Sequence, residues 1–308
     1  MPEALSQCRV VLNGFHVYVI GGWGGDTGGG ISNVLYRLSL ETFMWEIMAP
    51  MNTARMAFAA VRKGDYIYVF GGIGPQGNCT ASAERYSIAD NTWEALEDVP
   101  GARRDGHCAV TLCNDEHNNY IYLIGGAVLN VEVFDTNLQK WRATGVDDEE
   151  AASSKLLPCR MPDYRSYATA AVVNDSFLVI IGGYDQQGYV AEHCLIYDFF
   201  VNRWSTVPKS INLINERGSH CSAVLLDDNE KIIIVAGGRD ENSDILASTE
   251  LIDVRSLLDY APLVYPLPPF LFDKILQFVN GNDAGEGDGC IENNNETLQR
   301  VQKKPRAV

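Results

Sequence analysis

Long apolar runs are missing from this sequence of 308 residues: no stretch approaches the roughly 18 consecutive apolar residues of a membrane-spanning helix, so no membrane association is expected. A cationic leader is missing too. The opening MPEALSQCRVVLNGFHVYVIGG has no basic segment ahead of its apolar one, and Asn13, Gly14 and His16 interrupt it, which makes it a poor secretory signal. Positive charge is scarce, with 24 Lys and Arg against 40 Asp and Glu and a net charge of −16. Such a surface repels phosphate backbones, which excludes a non-specific nucleic-acid binder and favours basic partners. The eight cysteines, at 8, 79, 108, 113, 159, 194, 221 and 290, have neither regular spacing nor a CxxC. That pattern fits free thiols of a cytoplasmic or nuclear protein better than a disulfide framework.

Catalytic signatures are also lacking: there is no GxSxG and no P-loop. GGDTGGG at 24–30 is glycine-rich, but it lacks the Lys and the following helix that phosphate binding needs, so it reads as a flexible loop. His107-Cys108 and His220-Cys221 recur at one repeat position and invite a metal reading. Neighbouring residues on a strand point to opposite faces, however, so neither pair can offer both groups to one ion. His16, His117 and His193 have no partners at a ligand spacing. The sequence therefore predicts a non-enzyme without a cofactor.

What the chain does have is a repeat. VYVIGG, YIYVFGG, YIYLIGG, FLVIIGG and IIIVAGG each end an apolar strand in a diglycine, and the first glycines, Gly21, Gly71, Gly125, Gly182 and Gly237, stand 50, 54, 57 and 55 residues apart. After the diglycine comes an aromatic residue or Leu with Trp seven positions later: Leu38 and Trp45, Tyr86 and Trp93, Phe134 and Trp141, Tyr197 and Trp204. Before it, an Arg precedes a strand of small residues, giving Arg55, Arg104, Arg165 and Arg217. Each unit thus reads as four short strands. The innermost is crowded at a ring axis and needs small residues, while Trp and Tyr fill the wider spaces between units. One unit cannot bury both of its faces, so the units stack into a closed ring.

These landmarks resemble kelch repeats, over roughly residues 8–254, and the resemblance implies an all-β propeller. Five four-stranded blades are predicted, with a sixth missing if the chain is truncated. The fifth repeat has Asp259 where Trp should fall, so its outer strand is degenerate or is supplied by 260–267, where Pro262 and Pro266 permit only an edge position. The expected division is a propeller over 1–267 and a tail over 268–308. Within the tail, 268–279 has helical spacing and a faint likeness to the start of an F-box, and 280–308 has a disordered composition.

Alternating strand direction puts the loops 23–33, 73–82, 127–130, 184–191 and 239–247 on one face, where rigid scaffolds usually carry binding residues. Trp23, Tyr184 and Arg239, just past their diglycines, are contact candidates there. In kelch adaptors of ubiquitin ligases, arginines at this motif position contribute to a basic pocket for acidic peptides. The resemblance carries that role onto Arg55, Arg104, Arg165 and Arg217, with a purely structural bond to loop carbonyls or an acid as the competing reading. The insertion at 142–164, with its acidic run Asp147–Glu150, reads either as a loop over the binding face or as a solvated excursion. The expected function is recognition of a partner protein or peptide, including substrate recognition beside cullin-based ligase components. A cytoskeletal scaffold, or a propeller enzyme of oxidase or sugar-acid isomerase type, is the alternative.

Overall fold

The computed structural model describes residues 1–24, 29–101, 104–112, 119–126, 128–142, 160–191, 193–199, 203–207, 213–226 and 231–254. The chain divides into compact units between Val264 and Tyr265, and every described strand belongs to the first. The outer-strand candidate at 260–267, the helix candidate, the tail and residues 143–159 of the insertion lie outside the described residues.

The described elements are twenty strands in five antiparallel sheets, the blades of a β-propeller. Blade 1 contains β1 (Leu5–Ser6), β2 (Arg9–Asn13), β3 (His16–Gly24), β4 (Gly30–Ser39) and β5 (Trp45–Ile47), with β1 and β2 both paired to β3. Blade 2 contains β6 (Ala59–Lys63), β7 (Tyr66–Phe70), β8 (Ala83–Ser87) and β9 (Thr92–Leu96). Blade 3 contains β10 (His107–Thr111), β11 (Tyr120–Gly125), β12 (Glu132–Asp135) and β13 (Lys140–Arg142). Blade 4 contains β14 (Thr169–Val173), β15 (Phe177–Ile181), β16 (Leu195–Asp198) and β17 (Arg203–Thr206). Blade 5 shows three strands, β18 (Cys221–Leu226), β19 (Lys231–Ala236) and β20 (Thr249–Asp253). In blade 1 the expected loop at 23–33 is shorter than read, because β3 runs on to Gly24 and β4 begins at Gly30.

Register explains the recurrence of aromatic and Trp seven residues apart. Tyr86 lies opposite Trp93, Phe134 opposite Trp141 and Tyr197 opposite Trp204, each across one strand pair. These rings then reach a neighbouring blade: Trp93 Nε1 donates to the Ala49 carbonyl at 2.8 Å and Trp141 Nε1 to that of Glu97 at 3.1 Å. Four hydrophobic clusters fill successive junctions. Tyr18, Leu35, Ile67 and Tyr86 join blades 1 and 2; Phe70, Leu123 and Phe134 join 2 and 3. Tyr122, Leu178 and Tyr197 join 3 and 4; Ile181, Ile196 and Ile233 join 4 and 5. Among the described residues, no such cluster joins blade 5 to blade 1.

The diglycine is required by the same stacking. Gly22, Gly72, Gly126 and Gly183 donate their amides to the carbonyls of Arg55, Arg104, Arg165 and Arg217 in the following blade, at 2.8–3.0 Å. Gly182, at φ +57, shows why no other residue serves: an added Cβ would lie 2.2 Å from the Arg217 carbonyl oxygen. Nearer the axis, Gln7, Ala57, Gly106, Tyr167 and Ser219 all take φ between 51° and 60°. Each of the last four donates its amide to the carbonyl of the one before, at 2.7–3.0 Å, so a main-chain collar runs from blade to blade.

Candidate functional site

The structure turns Arg55, Arg104, Arg165 and Arg217 inward instead of presenting them together as one basic pocket: each is at most 2% exposed. Arg55 shows the cause. Its Nη1 donates to the carbonyls of Gly71 and Ser82, both at 2.8 Å, and its Nη2 to Ser82 Oγ at 3.0 Å and Glu84 Oε1 at 2.7 Å. Glu84 also accepts the amides of Asn52 and Thr53, so one buried ion pair ties the entering chain to the middle of its blade. Arg217 repeats the pattern with Gly237, Ser248 and Glu250, and Glu250 takes the amides of Ile214 and Asn215. Arg104 reaches Gly125, Asn130 and Glu132. Burial lowers the pKa of Arg55 and Arg104 while their glutamates oppose the shift, and burial raises that of Glu132. Arg55, Arg104 and Arg217 are fixings for the carbonyls of Gly71, Gly125 and Gly237, and a partner at the surface cannot reach them, whereas Arg165 bonds the carbonyls of Tyr164 and His193.

Glu84, Glu132 and Glu250 were not singled out from the sequence. Their signal is register: each stands opposite the residue two before the first glycine, namely Val69, Leu123 and Val235. Variable loop length before them hides that regularity when the sequence is read linearly.

The residues just past the diglycines are differently placed. Trp23 lies between Ser6 and Ile31, Ile73 between Met56 and Cys79, Tyr184 between Ser166 and Val190, and Arg239 between Gly218 and Ile245, each as the centre of a short three-stranded ladder. Trp23 is 45% exposed, Arg239 is exposed and Tyr184 is half-buried. The loops beyond are ordered by their own acids: Asp185 Oδ1 accepts the amides of Gln187 and Tyr189, and Asp240 Oδ1 those of Asn242 and Asp244. Between these ladders, Tyr167 donates to Asp105 at 2.6 Å, Cys79 contacts the other oxygen of Asp105 at 3.3 Å, and Tyr167 meets Tyr184 edge to face. Tyr184 lies against Gly218, where an added Cβ would be 2.4 Å from its ring. The result is a stiff face of aromatic, acidic and cationic groups.

The repeated histidines serve packing. His107 is fully buried, and His220, 6% exposed, meets Thr169 Oγ1 at 2.9 Å. Burial pushes the pKa of both down, to about 4 for His220. Among the described residues, no three His, Cys, Asp or Glu side chains converge to hold a metal ion, and no helix is long and apolar enough to cross a membrane.

Comparison with known proteins places this geometry. The solved structure titled "Structure of YjhT" superimposes with a TM-score of 0.62 at 15% identity, over 80% of this chain and 81% of that one, which shows the shared fold. Kelch-like protein 38 of Rattus norvegicus is 26% identical over 283 residues, 89% of this chain and 43% of the relative. Kelch-like protein 40 of Mus musculus is 32% identical over 175 residues, 52% of this chain and 27% of the relative. The chain thus spans less than half the length of the curated relatives it matches. The Kelch motif matches residues 4–52, the KLHDC2/KLHL20/DRC7 Kelch-repeats domain matches residues 59–257, and the chain belongs to the kelch-repeat family.

Proposed function

We propose that this propeller is a protein-interaction module whose partner docks on the face formed by the segments that follow the diglycines. The observation that carries the reading is the repeated placement of Trp23, Tyr184 and Arg239 at the centres of short ladders on a rigid scaffold. Trp, Tyr and Arg are the side chains over-represented among residues that dominate binding energy. Relatives named as kelch-like proteins support a repeat protein without chemistry of its own. Substrate recognition beside cullin-based ligase components, in the cytoplasm or nucleus, is the finer form of the proposal.

The test is quantitative capture from cell lysate with the wild type and with a Trp23→Ala/Arg239→Ala variant of unchanged melting temperature. Loss of a partner from the variant supports the face, and co-capture of a cullin supports the ligase role. Equal recovery moves the interface to the blade rim, where Phe43, Met44 and Ile47 are 66–76% exposed. That apolar patch favours the second reading, a scaffold gripped along its edge.

A further inference from the structure

Blade 1 departs from its neighbours at its turn end, away from the ladders. One backbone bond ties two hairpin turns together there in each of four blades: the amides of Leu40, Ile88, Thr136 and Phe199 donate to the carbonyls of Phe15, Asp65, Asn119 and Ser176 at 2.7–3.1 Å. The accepting residue is thus polar in blades 2, 3 and 4 and an aromatic in blade 1. Three residues past the donor, Phe43, Asn91 and Gln139 share a left-handed backbone with φ of 55–57°. The next position, just before the Trp, holds Met44 where Thr92, Lys140 and Arg203 stand in the other blades. Phe15, Phe43 and Met44 are 64%, 74% and 66% exposed.

Folding does not account for these three residues. Asn91 tolerates left-handed backbone, and its Oδ1 accepts the Ala49 amide at 2.9 Å and the Tyr86 hydroxyl at 2.7 Å, which joins blade 2 to blade 1. Phe43 does neither: a bulky side chain is strained at that φ, and its exposed ring offsets none of the strain by burial. Strain carried by an exposed apolar side chain points to a contact made outside the chain. The shape and charge of the site choose the occupant. Hairpin turns at a blade end are convex, so they fit a concave surface better than a second copy of themselves. From residue 10 to residue 53 the one Lys or Arg is Arg37, already paired with Glu46, while Glu41 stands in the turn itself. Two copies would set Glu41 against Glu41, whereas a basic rim attracts it.

We propose that Phe15, Phe43 and Met44 form a second docking surface, a knuckle that enters an apolar groove rimmed with Lys and Arg on a partner protein. This surface is separate from the ladder face. Phe15 and Trp23 stand at opposite ends of β3, roughly 25 Å apart along the strand, so the two surfaces can be occupied at once.

The test is Phe43→p-benzoylphenylalanine in the full chain, photo-crosslinked in cells, with the crosslinked residue of the partner mapped by mass spectrometry. That residue should lie in an apolar groove with Lys or Arg at its edge, and the crosslink should vanish when Phe15→Asp and Met44→Thr, the residues of blade 2, are added. With the crosslinked protein purified, Phe43→Asn should lower its affinity about tenfold or more and leave the melting temperature equal or higher, because Asn accepts the left-handed backbone. Trp23→Ala/Arg239→Ala should leave the crosslink in place. A crosslink to a second copy of this chain, to a site without basic residues, or to no protein would overturn the knuckle, as would an affinity unmoved by Phe43→Asn or a melting temperature lowered by it. Flotation with vesicles of phosphatidylcholine and phosphatidylserine, abolished by Phe43→Asn, would assign the knuckle to a membrane and overturn it equally. Loss of the crosslink in Trp23→Ala/Arg239→Ala would make the contact a satellite of the ladder face and remove the second surface while leaving the first.

Discussion

At the scale of single residues, burial decides what each charged group can do. Arg55 is enclosed with Glu84, and truncating it strands a carboxylate that also holds two loop amides. Arg55→Ala should therefore lower stability by about 3–5 kcal/mol in thermal or urea unfolding, the range for breaking one side of a buried pair. A loss below about 1 kcal/mol would mean the site is open to water. His220 makes a second prediction. Its folded pKa of about 4 lies below the ordinary 6.5, so between those values the unfolded chain binds the proton and the folded chain does not. Stability contributed by neutral His220 is complete above about pH 6.5, falls with acidification and is down by about 2 kcal/mol at pH 5. His220→Gln should flatten that part of the pH profile; an unchanged slope would assign the acid sensitivity to other groups. The arginines were legible in the sequence as a repeated position, but their direction was not. A linear pattern records that a cation recurs, whereas the acid that turns it inward sits across a strand pair behind a loop of variable length.

At the scale of the blade, strand pairing and inter-blade packing use the same aromatic residues. Trp93 lies across from Tyr86, packs beside the cluster of blades 1 and 2 and bonds Ala49. Trp93→Ala should cost about 3 kcal/mol in unfolding experiments, through lost contact and an unmet carbonyl. A cost near zero would place that ring in solvent. Blade boundaries were readable because the diglycine is imposed by close backbone approach, which leaves an unmistakable pair of letters. The true extent of β3 and β4 was not, because GGDTGGG looks like loop while the residues on either side of it continue a pairing that Ser6 and Trp23 help define.

At the scale of the whole molecule, four junctions are secured three ways: by a hydrophobic cluster, by a glycine amide bonded to an arginine carbonyl, and by the collar. Among the described residues, the step from blade 5 to blade 1 has none of the three. Amides of β18 and β2 should accordingly exchange with deuterium well before those of β7 and β11, and uniform protection around the ring would contradict this order. Among the described residues the propeller is a split washer, tied at four junctions and without those ties at one seam, and a partner gripping both sides of that seam would act as its clasp.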